Sequence, residues 1–191
     1  MKPRISIIIP AVHEEKTIGA VLAGIRKHVR VRHEVIVVND DDGKDGTKQV
    51  VSDFARRHPE VTLIRKQKTE RSGFAAALSL GLRQAQGEYM LPIMADGCDR
   101  YEDIDALYIK AQEGWDIVSG SRYVQGAKKS GGPLLQSIFS RFICWVAQVL
   151  TGIPTHDVSN SFKLYKSSLV KRLGIDVAKG TEISMDLALR A

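Results

Sequence analysis

Two cysteines among 191 residues, Cys98 and Cys144, cannot build a disulfide framework or a multi-cysteine zinc site. Both are expected as reduced thiols in a cytoplasmic protein. Long apolar runs are also scarce. No stretch reaches the roughly 20 uninterrupted apolar residues of a spanning helix. The N-terminal run in MKPRISIIIPAVHEE is too short for a signal peptide, and acids follow it at once. No zinc-finger spacing or aromatic RNA-binding signature is present, which argues against nucleic acid as a partner. The first apolar run should precede G-x-G-x-x-G in a dehydrogenase and G-x-x-x-x-G-K-[ST] in a P-loop NTPase. PAVHEE stands there instead, so neither is a leading reading. A nucleotidyltransferase, which needs a Gly-rich basic loop at that place, ranks low for the same reason.

What remains is 43% hydrophobic and 26% charged, ordinary for one globular domain. Apolar runs rich in β-branched residues occur at 4–10, 34–39, 61–66, 88–94 and 116–121. Segments with helical spacing lie between them at 14–29, 45–58, 73–86 and 101–114. Strand and helix alternating at this interval predict right-handed βαβ units and a mostly parallel α/β sheet covered on both faces. Beyond about residue 125 the pattern changes. GAKKSGGP reads as a basic loop, and PLLQSIFSRFICWVAQVLTG (133–152) as a helix, either buried in the core or interfacial with Arg141 toward anionic headgroups. The net charge of +6 gathers in 26–33, 57–68 and 126–130. Solvated helix ends account for the first two clusters, and attraction to an anionic surface is the sharper alternative.

Ligands of an open parallel sheet bind beyond the carboxyl ends of its strands. The residues following the runs are Pro10, Val12, His13, Glu14 and Glu15, then Asn39 to Thr47, then Arg71 to Gly73, then Asp96 and Asp99, then Ser121 and Arg122. Acids this dense in a basic chain point to a hard cation held by oxygen, Mg²⁺ or Mn²⁺. Asp42 and Asp45 also suit turn formation and helix capping, the preferred reading for Asp45.

SIIIPAVHEEKTIGAVL, VIVVNDDDGKDGT, GFAAALSLGLRQAQGEYMLPIMADGCD, GSRY and DVSNSFKLYK, in this order, resemble the successive motifs of family 2 glycosyltransferases. The subgroup resembled is the dolichol-phosphate mannose synthase type. The resemblance implies one GT-A domain over 1–191 that moves a sugar, with inversion, from a nucleoside diphosphate sugar (GDP- or UDP-sugar) to an acceptor. That acceptor would be a polyprenyl phosphate at a membrane surface, with the protein peripheral on the inner face. No oligomeric state follows from it.

By the same resemblance, Pro10, Val12 and Glu14 occupy the nucleotide-contacting segment, with Val12 and His13 departing from the usual Tyr and Asn. Asp40 and Asp41 fall on the base- and ribose-binding segment, Asp41 foremost, and Arg71, Gly73 and Ala95 line the donor. Asp96 takes the metal-ligating aspartate, while Met94 stands where a first aspartate is usual. Asp99 either compensates as a second ligand or caps the helix starting near Tyr101. Arg122 and Ser140 match the acceptor-phosphate residues. Gln136 replaces a second Arg, for which Arg141 could substitute. A hydroxyl acceptor would need a general base, for which Asp157 ranks ahead of Glu182 and Asp186, although Asp157 also suits a structural contact to the loop around Ser159. His13 and His156 read as loop residues. The resemblance covers 4 to about 173; family members usually continue past KGTEISMDLALRA with a further strand and a basic loop, so a domain truncated at its C-terminus is one expectation. Two rivals stand beside the enzyme. One is a nucleotide-sugar-binding module without turnover, which Met94, Val12, Gln136 and the short C-terminus would favour. The other is a peripheral membrane protein acting through 133–152.

Overall fold

The computed structural model describes residues 2–39, 45–66, 73–121, 148–149, 157, 160–174 and 183–191. ISIIIPA forms β1 (Ile5–Ala11), in which residues 5, 6, 7, 8, 9 and 11 are buried. A continuous apolar run rather than an alternating one is what a strand covered on both faces requires. The side chains still divide by the period of two. Ile5, Ile7, Ile9 and Ala11 join one core cluster and Ile8 the other.

HEVIVVN forms β2 (His33–Asn39), parallel to β1 in a register running from Ile5 opposite His33 to Ala11 opposite Asn39. β3 (Val61–Arg65) lies parallel outside β2. On the other side of β1, β4 (Tyr89–Pro92) runs parallel from Ile5 opposite Tyr89 to Ile8 opposite Pro92. The chain therefore moves outward from β1 to β3 and then crosses back to β1's free side. The gap between the ends of β1 and β4 is the point at which strand order reverses.

α1 (Ile18–His28) and α2 (Thr47–Ala55) cover one face, to which α4 (Ile104–Ala111) also packs, after the 3₁₀ turn Tyr101–Asp103. Ile18, Val21, Leu22 and Ile25, spaced three and four apart, give α1 its buried stripe. α3 (Phe74–Gln84) covers the opposite face with Ala75, Leu78 and Leu82 against Ile8, Ile36 and Val38. Each fully buried isoleucine of β1 contributes about 2 kcal/mol of transfer free energy, so the centre of the sheet anchors the fold.

The last strands depart from the simple alternation. β5 (Ile117–Ser119) is an edge strand. β6 (Lys163–Lys166) inserts between β4 and β5 and runs antiparallel to both, giving the order β3-β2-β1-β4-β6-β5. α5 (Ser167–Leu173) and α6 (Ile183–Arg190) follow; Val170 and Leu187 close the second cluster. The predicted mostly parallel sheet is present, with all four of the helices expected before residue 115. β6 is the element the hydrophobic pattern did not mark. Because β6 is antiparallel, its beginning lies at the carboxyl end of β4, so Asp157 and residues 160–162 join the edge at which the parallel strands end.

Candidate active site

Past Ala11 the chain leaves the sheet. Val12 is exposed, and His13 takes a φ of +58°, the one non-glycine residue in that region among those described. This conformation suits Asn better than His, so the sequence departure at 13 coincides with a strained backbone. Glu14 is then held from two sides. Its N–H donates to Thr47 Oγ1 at 2.7 Å, and its Oε2 accepts from Thr17 Oγ1 at 2.6 Å. Asp45 holds Thr47 in turn, accepting from its N–H at 3.1 Å and its hydroxyl at 2.6 Å. Asp45 thus forms the local turn expected of it, onto the first residue of α2, whose N-cap position is Gly46 without a side-chain cap. Through Thr47 it ties the start of α2 to the end of β1. Asp45→Ala is expected to cost about 1 kcal/mol, read as a lower melting temperature. The second strand end is joined to the first, since Asn39 Nδ2 donates to the Ala11 carbonyl at 3.4 Å.

β4 ends at Pro92, and the Ile93 N–H still donates to the Ile8 carbonyl at 2.9 Å, carrying the chain along β1. Ala95 is buried and Asp96 exposed. Asp96 Oδ1 accepts from the Cys98 N–H at 3.0 Å across Gly97, whose φ of +80° permits the tight turn. Asp99 Oδ2 accepts from the Met94 N–H at 2.8 Å. Of the two readings of Asp99, the helix cap is not what forms: the 3₁₀ turn has no side-chain cap, and Asp99 closes the 94–99 loop instead. Tyr101 supports that loop from below, its ring against Gly24 of α1.

Burial pushes the Asp99 carboxyl up to about 6, with the charge of Asp96 adding to the rise and the Met94 N–H opposing it. Burial, then Asp99 and Asp96, push Tyr101 up to about 12. Two carboxylates in one small loop set up a negative field that a divalent cation relieves. Their donor set is hard oxygen, which fits Mg²⁺ or Mn²⁺. Among the described residues no group of three or more His, Cys, Asp or Glu gathers around a common point. Cys98 is exposed, and its thiol is pushed up by partial burial and by Asp96, which keeps it protonated and a poor ligand.

Gly73, with φ +114°, precedes α3, its carbonyl accepting from the Ala77 N–H at 3.1 Å. Asp157 is fully buried, and its carbonyl accepts from the Asn160 N–H at 3.2 Å. Asp186 pairs with Arg190 at 2.7 Å in α6. Asp40, Asp41, Asp42, Arg71, Arg122, Gln136, Ser140, Arg141, His156 and Glu182 lie outside the described residues, as does nearly all of 133–152. The structure thus brings Pro10–Glu14, Asn39 and Ala95–Asp99 to the reversal point between β1 and β4. Asn160 and Lys163, which sequence reasoning passed over, prove heavily bonded. The one signal for them was a lysine inside the apolar run FKLY.

A profile described as Glycosyl transferase family 2 matches residues 6–174. The chain belongs to that family. Polyprenol monophosphomannose synthase of Mycolicibacterium smegmatis is 25% identical over 194 residues, covering 98% of this chain and 72% of its own length. Dolichol-phosphate mannosyltransferase of Pyrococcus furiosus is 29% identical over 146 residues, 76% of this chain and 41% of its own. Among solved structures, the mannosyltransferase PcManGT of Pyrobaculum calidifontis, in complex with GDP-Man and Mn²⁺, superposes with a TM-score of 0.68 at 27% identity, covering 96% of this chain and 50% of that one. The chain therefore spans about half the length of two of these three relatives. Its α/β sheet is the GT-A glycosyltransferase fold.

Proposed function

We propose that this chain transfers a sugar, with inversion, from a nucleoside diphosphate sugar to a polyprenyl phosphate, with GDP-mannose the foremost donor. The observation that carries this reading is the Asp96–Asp99 turn at the reversal point of a GT-A sheet, beside the Glu14 segment. Relatives named for mannosyl transfer to polyprenol or dolichol phosphate support the donor and acceptor, and a neighbour in complex with GDP-Man and Mn²⁺ supports the metal.

Asp96 and Asp99 would hold Mg²⁺ or Mn²⁺, which when bound neutralises the diphosphate and stabilises the departing nucleotide. Val12, Glu14 and the neighbouring Asp40 and Asp41 would hold the nucleotide. The acceptor is already anionic, so its phosphate oxygen needs no base. It attacks the anomeric carbon opposite the diphosphate; the new C–O bond forms as the bond to the diphosphate breaks. Arg122, Ser140 and Arg141 would hold that phosphate. Asp157, fully buried, then serves to shape the acceptor side, and as a base only toward a hydroxyl acceptor. Among the described residues no helix is long and apolar enough to cross a membrane. The lysines at 128 and 129 and the amphipathic 133–152 sequence support a cytoplasmic enzyme peripheral on the inner face.

Incubating the chain with GDP-mannose, Mn²⁺ and farnesyl phosphate tests this. Mannosyl phosphate product with the anomeric configuration opposite to the donor's is expected. Retained configuration would overturn the single displacement. Metal-dependent donor binding without product would identify a binding module.

A further inference from the structure

Lys163 is fully buried in β6. An ammonium taken out of water is costly unless it is bonded throughout. Its Nζ donates to the Asn160 carbonyl and, at 3.2 Å, to Ser184 Oγ. Ser184 Oγ lies 3.2 Å from the same carbonyl and 2.9 Å from the buried Tyr165 hydroxyl. The lysine thus fastens α6 to the start of β6 through Asn160.

Asn160 uses every polar group it has. Its N–H donates to the Asp157 carbonyl, and its Nδ2 donates to the Gly120 carbonyl at 2.7 Å. Its Oδ1 accepts from the Phe162 N–H at 3.2 Å. Gly120 in turn donates its own N–H to the Phe162 carbonyl at 3.0 Å. This one residue therefore sets the spacing between two turns of the catalytic edge. One leads in sequence into Ser121 and Arg122, and the other carries Asp157. Both lie on the β6/β5 side of the sheet, next to β4 and two strands from β1.

We infer that Lys163, acting through Asn160 and Ser184, is the positioning residue for the acceptor side of the site. This inference rests on the acceptor reading proposed above. Lys163 touches no substrate; its charge fixes the Asn160 carbonyl, and Asn160 fixes the turns at 120 and 157. The Lys163 bonds to Asn160 and Ser184 lie outside β1 and β2, and although β6 pairs with β4, the donor side feels their loss less than the acceptor side does.

The test uses the full chain as wild type, Lys163→Met, Lys163→Arg and Ser184→Ala. GDP-mannose affinity with Mn²⁺ is read by calorimetry, and kcat and KM for farnesyl phosphate by transfer. Lys163→Met is expected to lower kcat/KM for the acceptor by about tenfold or more, the scale of one lost charged hydrogen bond. Donor affinity stays within about twofold, since the bonds lost are to Asn160 and Ser184 rather than to the donor-side turns. Lys163→Arg restores most of the loss, since a cation remains. Should Lys163→Met fail to fold, Ser184→Ala, which removes a bond without leaving an uncompensated charge, reads the same split in milder form. A folded Lys163→Met with only a lower melting temperature and wild-type acceptor kinetics would overturn the inference, and so would equal loss of donor and acceptor function. A wild type that binds GDP-mannose but ignores farnesyl phosphate would sink the acceptor reading first and this inference with it.

Discussion

Asp96→Asn is expected to lower manganese-dependent mannosyl transfer by roughly 10²–10³-fold while leaving the fold intact. The expectation follows from what the asparagine keeps and what it loses. Asp96 is exposed, and its Oδ1 accepts one bond, from the Cys98 N–H. An asparagine carbonyl accepts the same bond, so the turn over Gly97 persists. What disappears is a negative charge at the carboxyl end of β4. A carboxylate binds a hard divalent cation far better than an amide does. Without it, the diphosphate leaves poorly neutralised. The melting temperature should match wild type, which separates this variant from a misfolded one. Transfer rates at saturating Mn²⁺ for the two proteins check it.

Gly87→Ala should produce the opposite pattern: a large loss of stability and a normal site in the molecules that fold. Gly87 lies just before β4, at the edge of the sheet opposite the donor turn. A Cβ there would sit 2.6 Å from the Ser6 nitrogen, 2.7 Å from Ser6 Oγ and 2.8 Å from the Tyr89 carbonyl. Two of those atoms are backbone of central strands and cannot swing away. The residue is also tied down on both sides. Its N–H donates to Ser6 Oγ at 2.8 Å, and its carbonyl accepts from Ser167 Oγ at 2.6 Å. Ser6 in turn bonds Glu34 at 2.5 Å, and Glu34 accepts from the Gln86 N–H at 2.8 Å. One methyl group therefore disturbs the junction of β1, β2, β4 and α5 together. The expected cost is about 3 kcal/mol, or roughly 10 °C in melting temperature for a domain of this size. Thermal unfolding checks it, with GDP-mannose affinity below the transition as the control.

The parallel half of the fold was legible because its strands are buried on both faces. ISIII and VIVV are too apolar and too β-branched for solvent-facing strands, and the helical segments between them repeat every three to four residues. The general rule that ligands bind beyond the strand ends then pointed to Glu14 and Asp96 without any knowledge of contacts. β6 was illegible for a physical reason: its four residues begin with a lysine, and a charge in a short run reads as solvent-facing. Ser184, 21 positions further along, and the carbonyl of Asn160 help make that lysine tolerable inside. The partner of Asp99 was hidden similarly. Sequence spacing allowed a metal ligand or a helix cap, and the bond to the Met94 N–H depends on a loop closure that spacing alone does not dictate. Asp45 was legible as a turn former because its bond is local, two residues long.

The central claim is that the edge between β1 and β4 binds a nucleoside diphosphate sugar through a divalent cation. Calorimetric titration of the wild-type chain with GDP-mannose, with and without Mn²⁺ and with UDP-glucose as comparator, tests it most directly. Binding of GDP-mannose that appears only with Mn²⁺, and is weaker or absent for UDP-glucose, is the predicted result. Absence of binding by either nucleotide sugar in saturating Mn²⁺, from a chain that melts cooperatively, would contradict it.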